Sequence, residues 1–348
     1  MHKQWQDFLI ENGAVIEGGR LQHFGNPQAE RQLAGSADVL TDLSHLADLL
    51  VSGDDAATFL QGQLTNDIHA VSATHSQLSG FCNPQGRLLA LFRILADADG
   101  YHLLLPADLL LPMLGRLRMF VLRSKVTLSD RSDDTVHIGV SGPQLARVLA
   151  GQLPSLPATA GEVCRHASLT VLRLAGDPPR FLISGPFDAV HPLWDRLAAH
   201  GAPVGAEAWR LLDIRAGQPE VVLATSNQFI PQMLNLRELD AINFRKGCYT
   251  GQEIVARLQY RGTLKRRMYH ARINATTPPD AGDPVHVCGE AQASGHLVSV
   301  AAAPDGGFEA LAVVTVEHSD QPLCHGGPDG NALQLMPPPY AFAPLAKD

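Results

Sequence analysis

The apolar pattern of this chain changes near residue 262. Before it, strand-like and helix-like apolar spacings alternate; after it, only short strand-like segments remain. "MYHARIN", "PVHVCG", "ASGHLVSVA", "EALAVVTV" and "ALQLMPPP" are split by Pro, Gly and Asp turns and carry no helical spacing. That predicts a C-terminal β-barrel or sandwich over 263–348, with the boundary between Arg261 and Leu264.

The longer part, 1–262, reads as α+β. Strands "SKVTLSD" and "VHIGVSG" lead to helix "PQLARVLAG"; strands "LTVLRLAG" and "RFLISGP" lead to helix "FDAVHPLWDRLAAHG". This order suits antiparallel sheets with helices on one face, not a doubly wound parallel sheet. Upstream, "GDDAATFLQGQLTND" reads as a helix. "LSGFCNPQGRLLALFRIL" reads as a hairpin turning at Asn83-Pro84-Gln85-Gly86, because Pro presets φ and Gly accepts a positive one. "ADLLLPMLGRLRMFVL" is a helix with Pro112 expected in its first turn.

Composition excludes several classes. With 348 residues, 45% hydrophobic and 18% charged, the chain is globular and long enough for two or three domains. A net charge of −8 argues against direct nucleic-acid binding, which draws on a basic surface. The N-terminus does not read as a signal peptide, and no apolar run reaches the ~18 residues of a membrane span. A cytoplasmic location without membrane contact is expected. Five cysteines, at 82, 164, 248, 288 and 324, are an odd number without C-x-x-C spacing. Free thiols in a reducing compartment are expected, with no intrinsic metal or cluster.

Cys248 has unusual neighbours. Thr250-Gly-Gln-Glu253 fits a capping box, with Thr250 as N-cap of a helix over about 251–259. Cys248 would then face the free amides of that helix, with Lys246 two residues upstream. Both stabilise a thiolate. The alternative is a structural cysteine that burial keeps protonated. From Arg237 to Arg267 there are eight basic and three acidic residues, a local +5 that suits an anionic ligand or a solvated helix face. Trp209 could stack on a flat heterocycle or sit in a core. Walker A, G-x-G-x-x-G, H-E-x-x-H and G-x-S-x-G motifs are absent.

"FRKGCYTGQEIVARLQYRG" closely resembles the K-G-C-Y-T-G-Q-E signature of the YgfZ family, relatives of the glycine-cleavage T-protein. "FLQGQLTND", "FCNPQGRLLALFRIL" and "QFIPQMLNL" agree with it in order and spacing. The resemblance implies a three-domain T-protein-like ring: two interleaved antiparallel α+β domains in 1–262 and a β-barrel in 263–348. It implies a folate-binding factor for the assembly or repair of iron–sulfur enzymes, including tRNA-thiolating ones. Its partners would be iron–sulfur client enzymes or cluster-assembly proteins, and Cys248 its functional thiol. Tetrahydrofolate or a derivative would contact Trp209, Gln232 and Asn235. Lys246 and its basic neighbours, Arg257 among them, would meet the glutamate carboxylates.

Three departures matter. The acidic pair on which T-protein catalysis depends is replaced by Ala90 and Leu91, so aminomethyl transfer loses its proton carrier. Arg215 stands where many relatives have an acid for the pterin's amino edge. Leu46 replaces the first folate-contacting aromatic. A one-carbon transferase and a folate-free scaffold therefore stand as alternatives.

Overall fold

The computed structural model describes residues 1–342. The end of the expected barrel segment, 343–348, lies outside the described residues. Chain segments alternate between two compact units. The first holds Met1–Ala56, Ala70–Gln77 and Arg93–Leu212; the second holds Ala57–His69, Leu78–Phe92 and the chain from Asp213 onward.

In the first unit, six strands form one sheet. Their order is Val163–His166, Leu169–Leu174, Arg180–Gly185, Val136–Ser141, Val39–Asp42 and Ala202–Pro203. All neighbours are antiparallel except the last pair. One face carries Val171, Ile183, Ile138 and Val140. It is covered by helices Lys3–Glu11, Pro143–Gln152 and Phe187–Ala198, so the alternation along each strand reads directly as a buried layer. In a second antiparallel array, Leu46–Ser52 pairs with Tyr101–Pro106 and Thr127–Asp130, and Tyr101–Pro106 pairs with Arg93–Ala96. Leu95 and Leu104 of this array share a core with Leu172, Leu182 and Trp209. Helix Ala107–Val121 packs against the second array.

The second unit contains residues 78–82 of strand Gln77–Cys82, residues 88–92 of strand Leu88–Ala96, helix Gln252–Arg261 and a closed barrel. Around the barrel run Arg266–Ile273, Phe308–Thr315, Ala293–Ala302, Pro284–Val287, Leu323–His325 and Asn331–Met336, which pairs back with the first. Closure leaves no open edge.

The α+β class and the C-terminal barrel are as expected. Four details differ. The helix begins at Ala107 as expected, where strand Tyr101–Pro106 runs straight into it, but Pro112 lies inside it, beyond the first turn. The sequence reading passed over helices Lys3–Glu11 and Pro27–Ala34, whose apolar faces are narrow. It also passed over strands Val39–Asp42 and Leu323–His325, which are too short to show a period. Finally, Cys288 and Cys324 are not free. Pairing of Val287 with Leu323 brings their Cα atoms to 5.2 Å, and a disulfide joins them. Non-local strand pairing makes this contact, so 36 residues of sequence separation hide it.

Candidate functional site: an exposed thiol on an anchored loop

The loop that carries Cys248 is irregular backbone held by side chains. The amide of Asn243 donates to the Thr65 carbonyl at 3.0 Å, and Asn243 Oδ1 accepts from the amides of Arg245 and Lys246 at 2.8 and 3.0 Å. That is the local turn for which an Asn side chain is suited. Lys246 then turns inward. Its Nζ donates to the carbonyls of Gln61, Leu64 and Asn66 at 2.8, 2.6 and 2.9 Å, which uses all three of its N–H bonds. The same Nζ lies 5.2 Å from the Tyr249 ring centroid. Burial lowers the Lys246 pKa to about 8, with Asp67 opposing.

The segment "FLQGQLTND" is therefore the floor of the loop. Thr65 Oγ1 donates to Ala241 O at 2.8 Å, and Asn66 Nδ2 donates to Asp240 O at 2.7 Å. The result is a pattern in which Lys246 and Tyr249 are buried while Gly247 and Cys248 between them are exposed. A side chain at Gly247 would meet nothing within 4 Å.

The helix after the loop starts one residue later than the capping box predicts. Gly251, at φ +84°, is its N-cap, and no side chain caps it. Glycine is required here twice over: its φ is left-handed, and a Cβ would lie 2.5 Å from Asn83 O. Thr250 is therefore not the N-cap. Among the described residues no amide of the helix donates to the Cys248 sulfur. Lys246, expected to stand over that sulfur, is instead the anchor that presents it.

The other thiols differ in kind. Cys82 is 1% exposed, and burial pushes its pKa up to about 12. Cys164 is half-buried and accepts from Ser155 Oγ at 3.7 Å.

The expected folate contacts are distributed as follows. Gln232 and Asn235 are buried, at 5% and 0% exposure. Gln232 Nε2 donates to Val255 O at 2.7 Å; Asn235 Nδ2 donates to Met268 O at 2.9 Å and approaches the Tyr340 hydroxyl at 3.2 Å. Gln232 Oε1 and Asn235 Oδ1 have no partner among the described residues. Buried orphan acceptors are uncommon, and they suit a ligand that brings N–H donors, as a pterin does. Arg257 is exposed.

Trp209 belongs to the core of the first unit at 2% exposure. The Arg180 guanidinium lies 4.4 Å over its ring, and Gly139 fits beneath it so closely that a Cβ there would come within 2.7 Å. It offers no free face to a ligand. Of the basic stretch, Lys246 and Arg267 point inward, Arg267 toward Glu238 at 3.7 Å, while Arg237, Arg245 and Lys265 are exposed.

Arg215 is committed elsewhere. Its Nη2 and Nε reach Glu309 at 2.6 and 3.1 Å, and His270 Nε2 meets the same carboxylate at 2.9 Å. Burial works against the Glu309 charge, but His270 and Arg215 outweigh it and hold the carboxyl at about 2. Ala90 and Leu91 are buried.

Comparison with known proteins bears on the family and the fold. The family model described as the GCVT N-terminal domain matches residues 21–178. The tRNA-modifying protein YgfZ of Escherichia coli (strain UTI89 / UPEC) is 31% identical over 321 residues, covering 91% of this chain and 98% of that protein. The protein of the same name from Sodalis glossinidius (strain morsitans) is 32% identical over 306 residues, covering 87% and 93%. Among solved structures, the glycine cleavage system aminomethyltransferase T from Bartonella henselae superposes with a TM-score of 0.79 at 18% identity, covering 96% and 95%. At that identity the likeness speaks for the fold. The fold and the extent of its similarity to these relatives place the chain in the YgfZ family.

Proposed function

We propose that this chain is a folate-binding accessory protein for the assembly or repair of iron–sulfur enzymes, acting through the Cys248 thiol and thereby on tRNA thiolation. The observation that carries the reading is the presentation of Cys248: exposed, between two buried anchors, on a loop with no regular structure of its own. The name borne by the curated relatives supports the link to tRNA.

A thiol so placed reaches a partner protein without unfolding. The step it suits is exchange. The Cys248 thiolate attacks a disulfide on a client, a new S–S bond forms, and the client's second sulfur leaves as thiolate. No outside oxidant or reductant is consumed. Tetrahydrofolate would be held through Gln232 Oε1 and Asn235 Oδ1 as acceptors, with Arg257 toward the glutamate carboxylates. When bound, it would supply a one-carbon carrier. Lys246 and Trp209 act as structural supports in this reading.

The test is Cys248→Ser in cells lacking the natural protein. Iron–sulfur enzyme activities and thiolated tRNA nucleosides should fall to the deletion level, while folding and tetrahydrofolate affinity stay unchanged. Full complementation by the variant overturns the role of the thiol. Arg215, closed onto Glu309, favours a second reading as a scaffold without folate. Titration with tetrahydrofolate separates the two, since the scaffold binds none.

A further inference from the structure

The inner face of the first unit is layered in an unusual way. Leu172 pairs with Leu182, which pairs with Gly139; two residues along, Thr170 pairs with Ser184, which pairs with His137. Side chains alternate along strands, so both rows occupy one face. The Leu172–Leu182 row is apolar and packs with Leu95 and Leu104. The second row is polar. It lines a cavity of about 260 Å³ together with Asp48 and His102 of the other array.

Packed sheet faces are ordinarily apolar, and a polar layer there is destabilising unless its groups find partners. Most of them do. His102 Nδ1 lies 2.9 Å from Asp48 Oδ2 and its Nε2 lies 3.0 Å from Asp97 Oδ2. His137 Nδ1 lies 2.7 Å from Ser184 Oγ. Burial lowers the His137 pKa against the pull of Asp48, so its ring is neutral. Its other nitrogen, Nε2, has no partner among the described residues although the residue is only 3% exposed, and it belongs to the cavity wall. A buried polar atom left open toward a cavity is the mark of a missing ligand group.

The wall also carries both signs of charge. Asp97 and Asp99 lie on one loop. Arg165 and Arg131 come from elsewhere; Arg131 Nε lies 2.6 Å from Asp134, and Arg165 gives one N–H of each terminal nitrogen to the carbonyls of Ala73 and Ala96, which leaves its remaining N–H bonds for the cavity. We propose that this cavity binds a small zwitterion, an ammonium meeting Asp99 and Asp97, a carboxylate meeting Arg131 and Arg165, and a polar group between them meeting His137 Nε2. The volume falls below the ~300–1,000 Å³ of drug-sized sites, which excludes a peptide or a nucleotide chain. The site uses none of the residues around Cys248.

The full-length protein is titrated calorimetrically with glycine, L-serine and L-glutamine, and with ribose and inorganic phosphate as controls. One or more of the amino acids should bind one-to-one, and neither control should. His137→Leu and Asp99→Asn should each weaken binding about tenfold or more, the loss expected for a hydrogen bond to a charged or buried group. Asp99 is exposed, so its variant reports on the site even where a change at buried His137 disturbs folding. Cys248→Ser should bind as the natural chain does. No binding up to about 10 mM, unchanged affinity in Asp99→Asn, or binding of phosphate or ribose alone overturns the proposal.

Discussion

The Cys248 loop and the C-terminal barrel lie in the same unit and hold their cysteines in opposite ways. In the barrel every strand has two neighbours, and Cys288 and Cys324 are tied together where Val287 meets Leu323. In the loop no ladder exists. A few side chains, chiefly Lys246, Asn243, Thr65 and Asn66, bond to carbonyls and amides. The barrel is over-determined, so its sulfurs are structural. The loop is determined by a handful of contacts, which leaves one sulfur free to act. Regular structure buries chemistry; an anchored irregular segment exposes it.

Four measurements test this contrast. The largest effect is in thiol accessibility. Native protein treated with iodoacetamide should be labelled at Cys248 at least about a thousandfold faster than at Cys82, which is reached only through opening of the fold. Mass spectrometry of timed digests reads the ratio, and equal rates would erase the distinction. Next, replacing Cys288 and Cys324 together by Ser should cost about 3–4 kcal/mol in chemical denaturation and leave the Cys248 labelling rate alone.

Third, Lys246→Met leaves three carbonyls without their donor. A loss of about 2–3 kcal/mol is expected, with faster proteolysis within Asn243–Gly251. Lys246→Arg should not rescue it, because a planar fork does not reproduce three donors on one nitrogen.

The smallest effect is a pH dependence in the barrel. Glu309 is depressed to about 2 in the fold, below its ordinary 4.5. Its contribution is therefore present above pH about 4.5 and is lost as pH falls toward 2; the shift alone corresponds to about 3.4 kcal/mol, which solvent screening of this partly exposed ion pair reduces to about 2 kcal/mol. Glu309→Gln should flatten the stability curve across that window. An unchanged slope would remove Glu309 from the account.

Much of the fold was legible because its patterns are local. Alternation in "VHIGVSG" and "LTVLRLAG" and the switch at 262 identified strands and an all-β C-terminal segment, barrel or sandwich, without reference to anything distant. What stayed hidden depends on pairings between remote segments. The direction of Lys246 is set by carbonyls of Gln61, Leu64 and Asn66, far away in sequence, so a lysine two residues from a cysteine read as a neighbour of the sulfur. Trp209 reads the same whether it meets a ligand or Arg180. The capping box at Thr250 matched in composition but not in geometry: the helix starts from a left-handed Gly251, a position where Asn83 O leaves no room for a Cβ. Of the site, Cys248 itself was legible and the floor beneath it was not.

The crowding at Gly251 has a reciprocal. A Cβ at Gly86, the tip of the hairpin, would lie 2.9 Å from Ile254 Cβ, just as one at Gly251 would strike Asn83 O. Hairpin tip and helix entry are each shaped to the other's bare backbone. The octapeptide is therefore not a portable cassette. Transplanted to a foreign scaffold it would lose its geometry unless the Cys82–Leu88 turn travelled with it, and natural variation at either glycine should be matched by change at its counterpart.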